Sequence, residues 1–225
     1  ATMKQPVAYI LMGVLILAGC ALFESKGPDN VETLLSEGIE HFNEGQYKKA
    51  LESFENIKDW YPFSKYAIVA ELKIADCHFF LKEYEEAIFA YEEFMELHPR
   101  NDAIPYVLYQ VGRCHFDQMN TIDRDQTATQ QALKTFTQLK KQYPQSEYAE
   151  KSTDHINRCL KNLSEHDFYI GYFYYKSKHY RAALQRFRFV LTQYPDVGVH
   201  QKALRYIAKC EAKLALLPGP EPPTE

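Results

Sequence analysis

Apolar residues recur at intervals of three and four along most of the chain, and in four stretches they fall into one arrangement. YKKALESFENIKDWYP (47–62) is echoed by YEEAIFAYEEFMELHP (84–99), TQQALKTFTQLKKQYP (129–144) and YRAALQRFRFVLTQYP (180–195). In each, an Ala (Ala50, Ala87, Ala132, Ala183) stands twelve residues before the Pro, and an aromatic (Phe54, Tyr91, Phe136, Phe187) follows the Ala by four. Residues four apart share one helix face, and a Pro ring cannot continue a helix. The spacing predicts four amphipathic helices built to one plan.

A second set of marks precedes them. Gly38, Ala75 and Gly112 are 37 residues apart, as are His41, His78 and His115, and Phe42, Phe79 and Phe116. A small residue twelve before the Ala and a Pro twelve after it resembles the tetratricopeptide repeat (TPR), a helix–turn–helix unit of about 34 residues. The period of 37 lengthens the turn between repeats, of which 61–66 is one. Helices are predicted at 31–45, 47–60, 66–82, 84–97 and 103–118, with Asn30 as N-cap of the first and Pro105 in a first turn.

Two insertions interrupt the period. NTIDRDQT (120–127) is polar and aperiodic, a loop inside the third hairpin. Fourteen further residues fall between Tyr148 and His166, without Gly or Pro, and keep the helical pattern. Fourteen residues are about 3.9 turns, so a single helix over about 147–178 stays nearly in phase; the alternative is a break at Ser164 with a Ser164–Asp167 capping box. A last helix, about 198–216, has no second helix of its own and is placed to cap the array. The expectation is an all-α, TPR-like helical-hairpin solenoid over 31–217 with one elongated helix in the fourth repeat.

The ends read differently. Residues 1–19 resemble a cleaved lipoprotein signal peptide: Lys4, an apolar run from Val7 to Leu17, then Leu17-Ala18-Gly19-Cys20, with Met3 the expected natural start. Eleven apolar residues are too few to span a bilayer. Small residues directly before a Cys look like a lipobox, making Cys20 the site of lipid attachment; an ordinary secretory signal with a chance Cys is the alternative. Acyl chains contribute ~0.8 kcal/mol per buried methylene, enough for durable anchoring. Ala21, rather than Asp, favours sorting to the outer membrane. Residues 20–30 read as a lipidated tether and 218–225 as a disordered Pro-rich tail.

The formal net charge of −4, one unit more negative once Lys4 leaves, argues against a general nucleic-acid-binding surface. Cys77, Cys114, Cys159 and Cys210 each sit inside a predicted helix. Equivalent positions on stacked helices lie ~10 Å apart, too far for a disulfide, so buried core thiols are expected. Cys77-His78 and Cys114-His115 invite a metal reading, but adjacent helical positions diverge by ~100°, and no metal site is expected. The His row fits an aromatic packing slot, since the fourth equivalent is Tyr174. No phosphate-binding loop, nucleophile elbow or HExxH pattern is present. The aromatic block from Phe168 to Tyr180 covers all faces of its helix, part core and part exposed or partner-facing.

The lipobox, the hairpin register, Tyr61-Pro62-Phe63-Ser64-Lys65-Tyr66, Asp123-Arg124-Asp125-Gln126 and Glu165-His166-Asp167-Phe168-Tyr169 together resemble the BamD (ComL, YfiO) family, TPR lipoproteins of the outer-membrane β-barrel assembly machinery. The resemblance implies a non-enzymatic scaffold on the periplasmic face of the outer membrane, with no cofactor beyond the lipid (palmitate) on Cys20 and no nucleic-acid partner. It implies that the N-terminal repeats receive targeting signals of unfolded outer-membrane proteins, mapping here to Tyr61, Pro62, Phe63 and Tyr66. It implies docking of the C-terminal repeats on a BamA-like β-barrel subunit alongside other assembly lipoproteins, with Arg186, Asp123 and Arg124 as partner-binding residues. The family typically has five repeats; here Pro218 follows the first helix of the fifth. Two readings stay open beside the chemistry of the residues: Phe63 fills the gap between repeats or serves a groove, and Arg186 pairs with Asp167 or Glu165 or faces a partner. Another envelope or division scaffold is the alternative function, and a Cys-His metalloenzyme the more distant one.

Overall fold

A computed structural model of the chain describes residues 30–216; the signal segment, Cys20, the tether up to residue 29 and the Pro-rich tail lie outside the described residues. All regular structure among the described residues is α-helical: α1 Val31–Asn43, α2 Tyr47–Trp60, α3 Ala67–Leu81, α4 Tyr84–Leu97, α5 Ile104–Asp117, α6 Thr127–Gln142, α7 Glu147–Lys176, α8 Tyr180–Gln193 and α9 His200–Ala215. Expected ends are shortened by up to two residues, because terminal turns fray into caps. None of these helices is long and apolar enough to cross a membrane. The chain divides into two compact units, 30–70 and 71–216.

In the first unit α1 and α2 form a hairpin. The Asn30 side chain accepts from the Glu32 N–H at 2.8 Å, the expected N-cap. Ala50, Phe54 and Ile57 of α2 are buried. A Cβ on Gly38 would come within 2.7 Å of Phe54, which explains the small residue at this register. The same pairing recurs in the second unit, where Gly112 faces Phe136 and Gly171 faces Phe187. The partner of the small residue is therefore the aromatic, rather than the repeat's Ala.

The turn inside each short hairpin has one geometry. Gly45, Lys82 and Lys178 occupy the left-handed region with φ of 75°, 63° and 64°. The next backbone N–H closes back on the helix: Gln46 to His41 O at 2.8 Å, Glu83 to His78 O at 3.0 Å and His179 to Tyr174 O at 2.9 Å. This six-to-one closure satisfies carbonyls that a helix end leaves bare.

In the second unit successive helices pack in order, α4 on α5, α5 on α6, α6 on α7, α7 on α8 and α8 on α9, and α7 also reaches α5. α7 is one unbroken helix of 30 residues. Ser164 does not cap a break: it is buried and donates to the Lys161 carbonyl at 2.9 Å. α9 covers the end of the fourth hairpin, its Ala203 and Cys210 joining Phe168, Ala183, Phe187 and Val190 in one core cluster.

Candidate docking sites

In the first unit, residues 61–66 form a compact turn between α2 and α3. The Ser64 N–H donates to Tyr61 O at 3.0 Å, and the Ala67 N–H reaches both Ser64 O and Ser64 Oγ, at 3.1 and 3.2 Å. The Tyr66 hydroxyl donates to Glu32 at 2.7 Å, and Lys65 Nζ lies 4.8 Å from the Tyr66 ring centroid. Phe63 stands on this frame at 101% exposure, so it packs against nothing in its own unit. Pro62 is exposed and Tyr61 half-buried. Trp60 and Val69 add exposed apolar surface within the same ten residues.

The second unit assembles the other predicted residues around the middle of α7. The loop between α5 and α6 is fastened at two points: Asn162 donates to Asn120 O at 3.1 Å and His166 Nδ1 donates to Ile122 O at 2.6 Å. From inside, buried Gln126 donates to Thr121 O and Arg124 O. The Asp125 carboxylate accepts from the Thr127 N–H at 2.9 Å, starting α6. Asp123 and Arg124 are exposed on this loop. A hydrogen bond from Thr121 holds the Asp123 carboxyl below its usual range.

The adjacent residue, Asp167, is buried and serves the next hairpin. It accepts from the Tyr194 hydroxyl at 2.6 Å and from Arg186 Nη1 at 3.4 Å. Burial, then the bond to Asp167, push the Tyr194 hydroxyl pKa up. The Arg186 stem packs beside Gly171, while its side chain keeps 44% exposure. The intramolecular pair with Asp167 thus forms, through one long contact. Glu165 is not its partner. Arg188 instead pairs with Glu211 of α9 at 2.8 Å.

One cluster escaped the sequence reading. Asp76 is buried, and one carboxylate oxygen accepts from both Tyr91 and Tyr106 at 2.7 Å while Lys73 reaches the other at 2.9 Å. Gln110 completes the set from α5. A lone Asp between Ala75 and Cys77 on an otherwise apolar stretch is the signal. Asp76, Tyr91 and Gln110 are buried and each has a partner, so the cluster ties α3, α4 and α5 together.

The four described cysteines form no disulfide and are buried. Burial pushes the Cys114 and Cys159 thiols up to about 12. His78 pairs with Glu83 at 2.8 Å, while desolvation lowers the pKa of His115. Among the described residues no three His, Cys, Asp or Glu side chains gather as a metal site would require.

Comparison with known proteins identifies the family. Residues 28–218 match the YfiO family, described as outer membrane lipoprotein. An outer membrane protein assembly factor BamD from Rickettsia prowazekii is 32% identical over 214 residues, covering 93% of this chain and 84% of that protein. The BamD of Caulobacter vibrioides is 29% identical over 204 residues, covering 88% of this chain; the match spans 66% of that longer relative. Among solved structures, the chain is similar to the TPR2AB domain of yeast Sti1 in its pHSP90 complex, at a TM-score of 0.48 and 14% identity over 82% of this chain and 70% of that one. The helical-hairpin assignment stands on the chain's own helices and turns, and with a family match that spans all of the described residues the chain belongs to the YfiO family of outer membrane lipoproteins.

Proposed function

We propose that this chain is a non-enzymatic, lipid-anchored scaffold on the periplasmic face of the outer membrane, acting in the assembly of β-barrel outer-membrane proteins. The relatives' designation as assembly factors supports the process. Cys20 carries the lipid in this reading. The turn at Tyr61, Pro62, Phe63 and Tyr66 receives the targeting signal of an unfolded barrel protein. Arg186 with the Asp123–Arg124 loop meets a BamA-like subunit, in the company of other assembly lipoproteins.

The observation that carries the reading is Phe63. A fully exposed aromatic on a turn held by four hydrogen bonds loses little conformational entropy on binding, and its ring gains burial only when a partner arrives. Burying a Phe is worth about 1.5–3 kcal/mol, which corresponds to roughly 10- to 150-fold in affinity. Phe63→Ala is expected to weaken binding of a peptide ending in an aromatic residue by that factor at unchanged melting temperature. Unchanged affinity sinks the assignment. On the second surface, Arg186→Gln is expected to weaken association with a BamA-like subunit while Arg188→Gln does not; equal effects would indicate a diffuse charge contribution.

A further inference from the structure

A cleft of about 260 Å³ opens where the α5–α6 loop, the middle of α7 and the turn before α9 converge. Ile122, Phe168, Tyr169 and Val199 give it apolar walls, and Glu165 and Lys202 stand on its two helical sides. Its walls are fixed in advance. His166 and Asn162 hold the loop. His200 Nε2 donates to Tyr194 O at 3.0 Å, and the Gly198 N–H donates to Asp196 at 3.0 Å, holding the turn. Lys202 Nζ lies 4.5 Å from the Phe168 ring centroid.

We infer that this cleft binds an extended peptide segment of a partner protein by taking in one large apolar side chain. Two observations choose the occupant. Pockets for whole small-molecule ligands measure about 300–1,000 Å³, and this one is smaller, suited to a single aliphatic or aromatic side chain. Glu165 and Lys202 both face it without an ion pair to each other, so an acceptor and a donor remain on opposite sides. An extended peptide offers that complement: its N–H donates to the carboxylate and its C=O accepts from the ammonium while the side chain enters between them. A hydrocarbon chain or a bare ring uses neither charge. The inference goes beyond the scaffold reading: its wall residue Ile122 belongs to the loop that carries Asp123 and Arg124, but it uses neither of those residues, nor Phe63 or Arg186.

The test uses the full chain and the capped tripeptide acetyl-Thr-Phe-Thr-amide, with acetyl-Thr-Ala-Thr-amide as control, followed by backbone amide NMR. Saturable shifts are expected at Ile122, Val199 and Lys202 with the Phe peptide, with at least about tenfold weaker binding of the Ala peptide. Ile122→Trp, which fills the cleft, should abolish the shifts, and Tyr169→Ala, which removes a wall, should weaken them in a chain of unchanged helicity. Lys202→Gln and Glu165→Gln should each weaken binding several-fold. Absence of saturable shifts, or shifts indifferent to both Ile122→Trp and Tyr169→Ala, overturns the inference. So does p-cresol binding as tightly as the peptide, since the polar ends then contribute nothing. Shifts confined to 61–66 and lost in Phe63→Ala place the peptide on the other site and refute this one. Shifts at the cleft that grow with protein concentration alone assign it to a second copy of the chain.

Discussion

Gly112→Ala is the sharpest test of how the hairpins close. A Cβ on Gly112 would lie 2.5 Å from Phe136 Cε1, 2.8 Å from Cδ1 and 2.9 Å from Cζ. Carbon atoms in contact settle near 3.5–4.0 Å, so the ring or the helix must retreat by about 1 Å. Phe136 has no room for this: it is fully buried, with the rings of His155, Tyr109 and Phe116 centred 5.0, 5.9 and 6.3 Å away. Overpacking of this kind costs about 1–3 kcal/mol. The helical preference of Ala over Gly returns about 1 kcal/mol. The expected net loss is up to about 2 kcal/mol, or a fall in melting temperature of up to roughly 8 °C for a chain of this size. Thermal unfolding followed by circular dichroism measures it. The double variant with Phe136→Leu decides the cause: relief of the clash should give a coupling of about 1 kcal/mol or more between the two substitutions. A stabilising Gly112→Ala, or strict additivity with Phe136→Leu, would refute the close approach.

Other expectations follow from the same geometry. Lys82 sits at φ 63°, a conformation that costs an L-residue about 1 kcal/mol or more, so Lys82→Gly should raise stability by up to about 1 kcal/mol in denaturant titration, whereas Gly45→Ala at φ 75° should lower it. Cys114 and Cys159, with thiols held near 12 by burial, should resist iodoacetamide at pH 8 in the folded chain and react on unfolding; rapid native labelling would contradict their burial. His115, its pKa lowered by desolvation below the ordinary 6.5, binds protons more readily unfolded than folded. It therefore contributes stability that is present above pH 6.5 and lost as pH falls below it, and His115→Gln should flatten that part of the stability–pH profile.

Much of this was legible because the repeat writes its packing in residue size. The Ala and aromatic four apart, the small residue of the preceding helix and the closing Pro fix which face of each helix turns inward. What the pattern could not express was chemistry between repeats. Asp76 reads as an intrusion until Tyr91 and Tyr106, 15 and 30 residues further on, are seen to converge on it. The left-handed turn residue is Gly only once in three, at Gly45; Lys82 and Lys178 adopt it under tertiary constraint, and no Gly or Asn announces them. For Arg186 the helical wheel placed the stem at the core edge, as found beside Gly171. It could not weigh Asp167 against Glu165, which depends on where α8 crosses α7.

The elongated helix explains why the two elements of the second unit that we propose meet a partner, the Asp123–Arg124 loop and Arg186, belong to one body. An insertion of fourteen residues makes about 3.9 turns, so the helix can lengthen by about 21 Å and still present its inward face to the fourth hairpin. α7 accordingly contributes to three core clusters in succession: Ala149 with α4 and α5, Cys159 with α5 and α6, and Phe168 with α8 and α9. Between the last two lie Asn162 and His166, which fasten the loop of Asp123 and Arg124, and next to His166 is Asp167, which holds Tyr194 and touches Arg186. A break at Ser164 would have put a hinge between Asn162 and His166. With Ser164 buried and bonded to its own helix, loop and arginine keep a fixed separation, and a partner that contacts both meets them without ordering either. Affinity gained this way would come from contacts already set in place rather than from new ones.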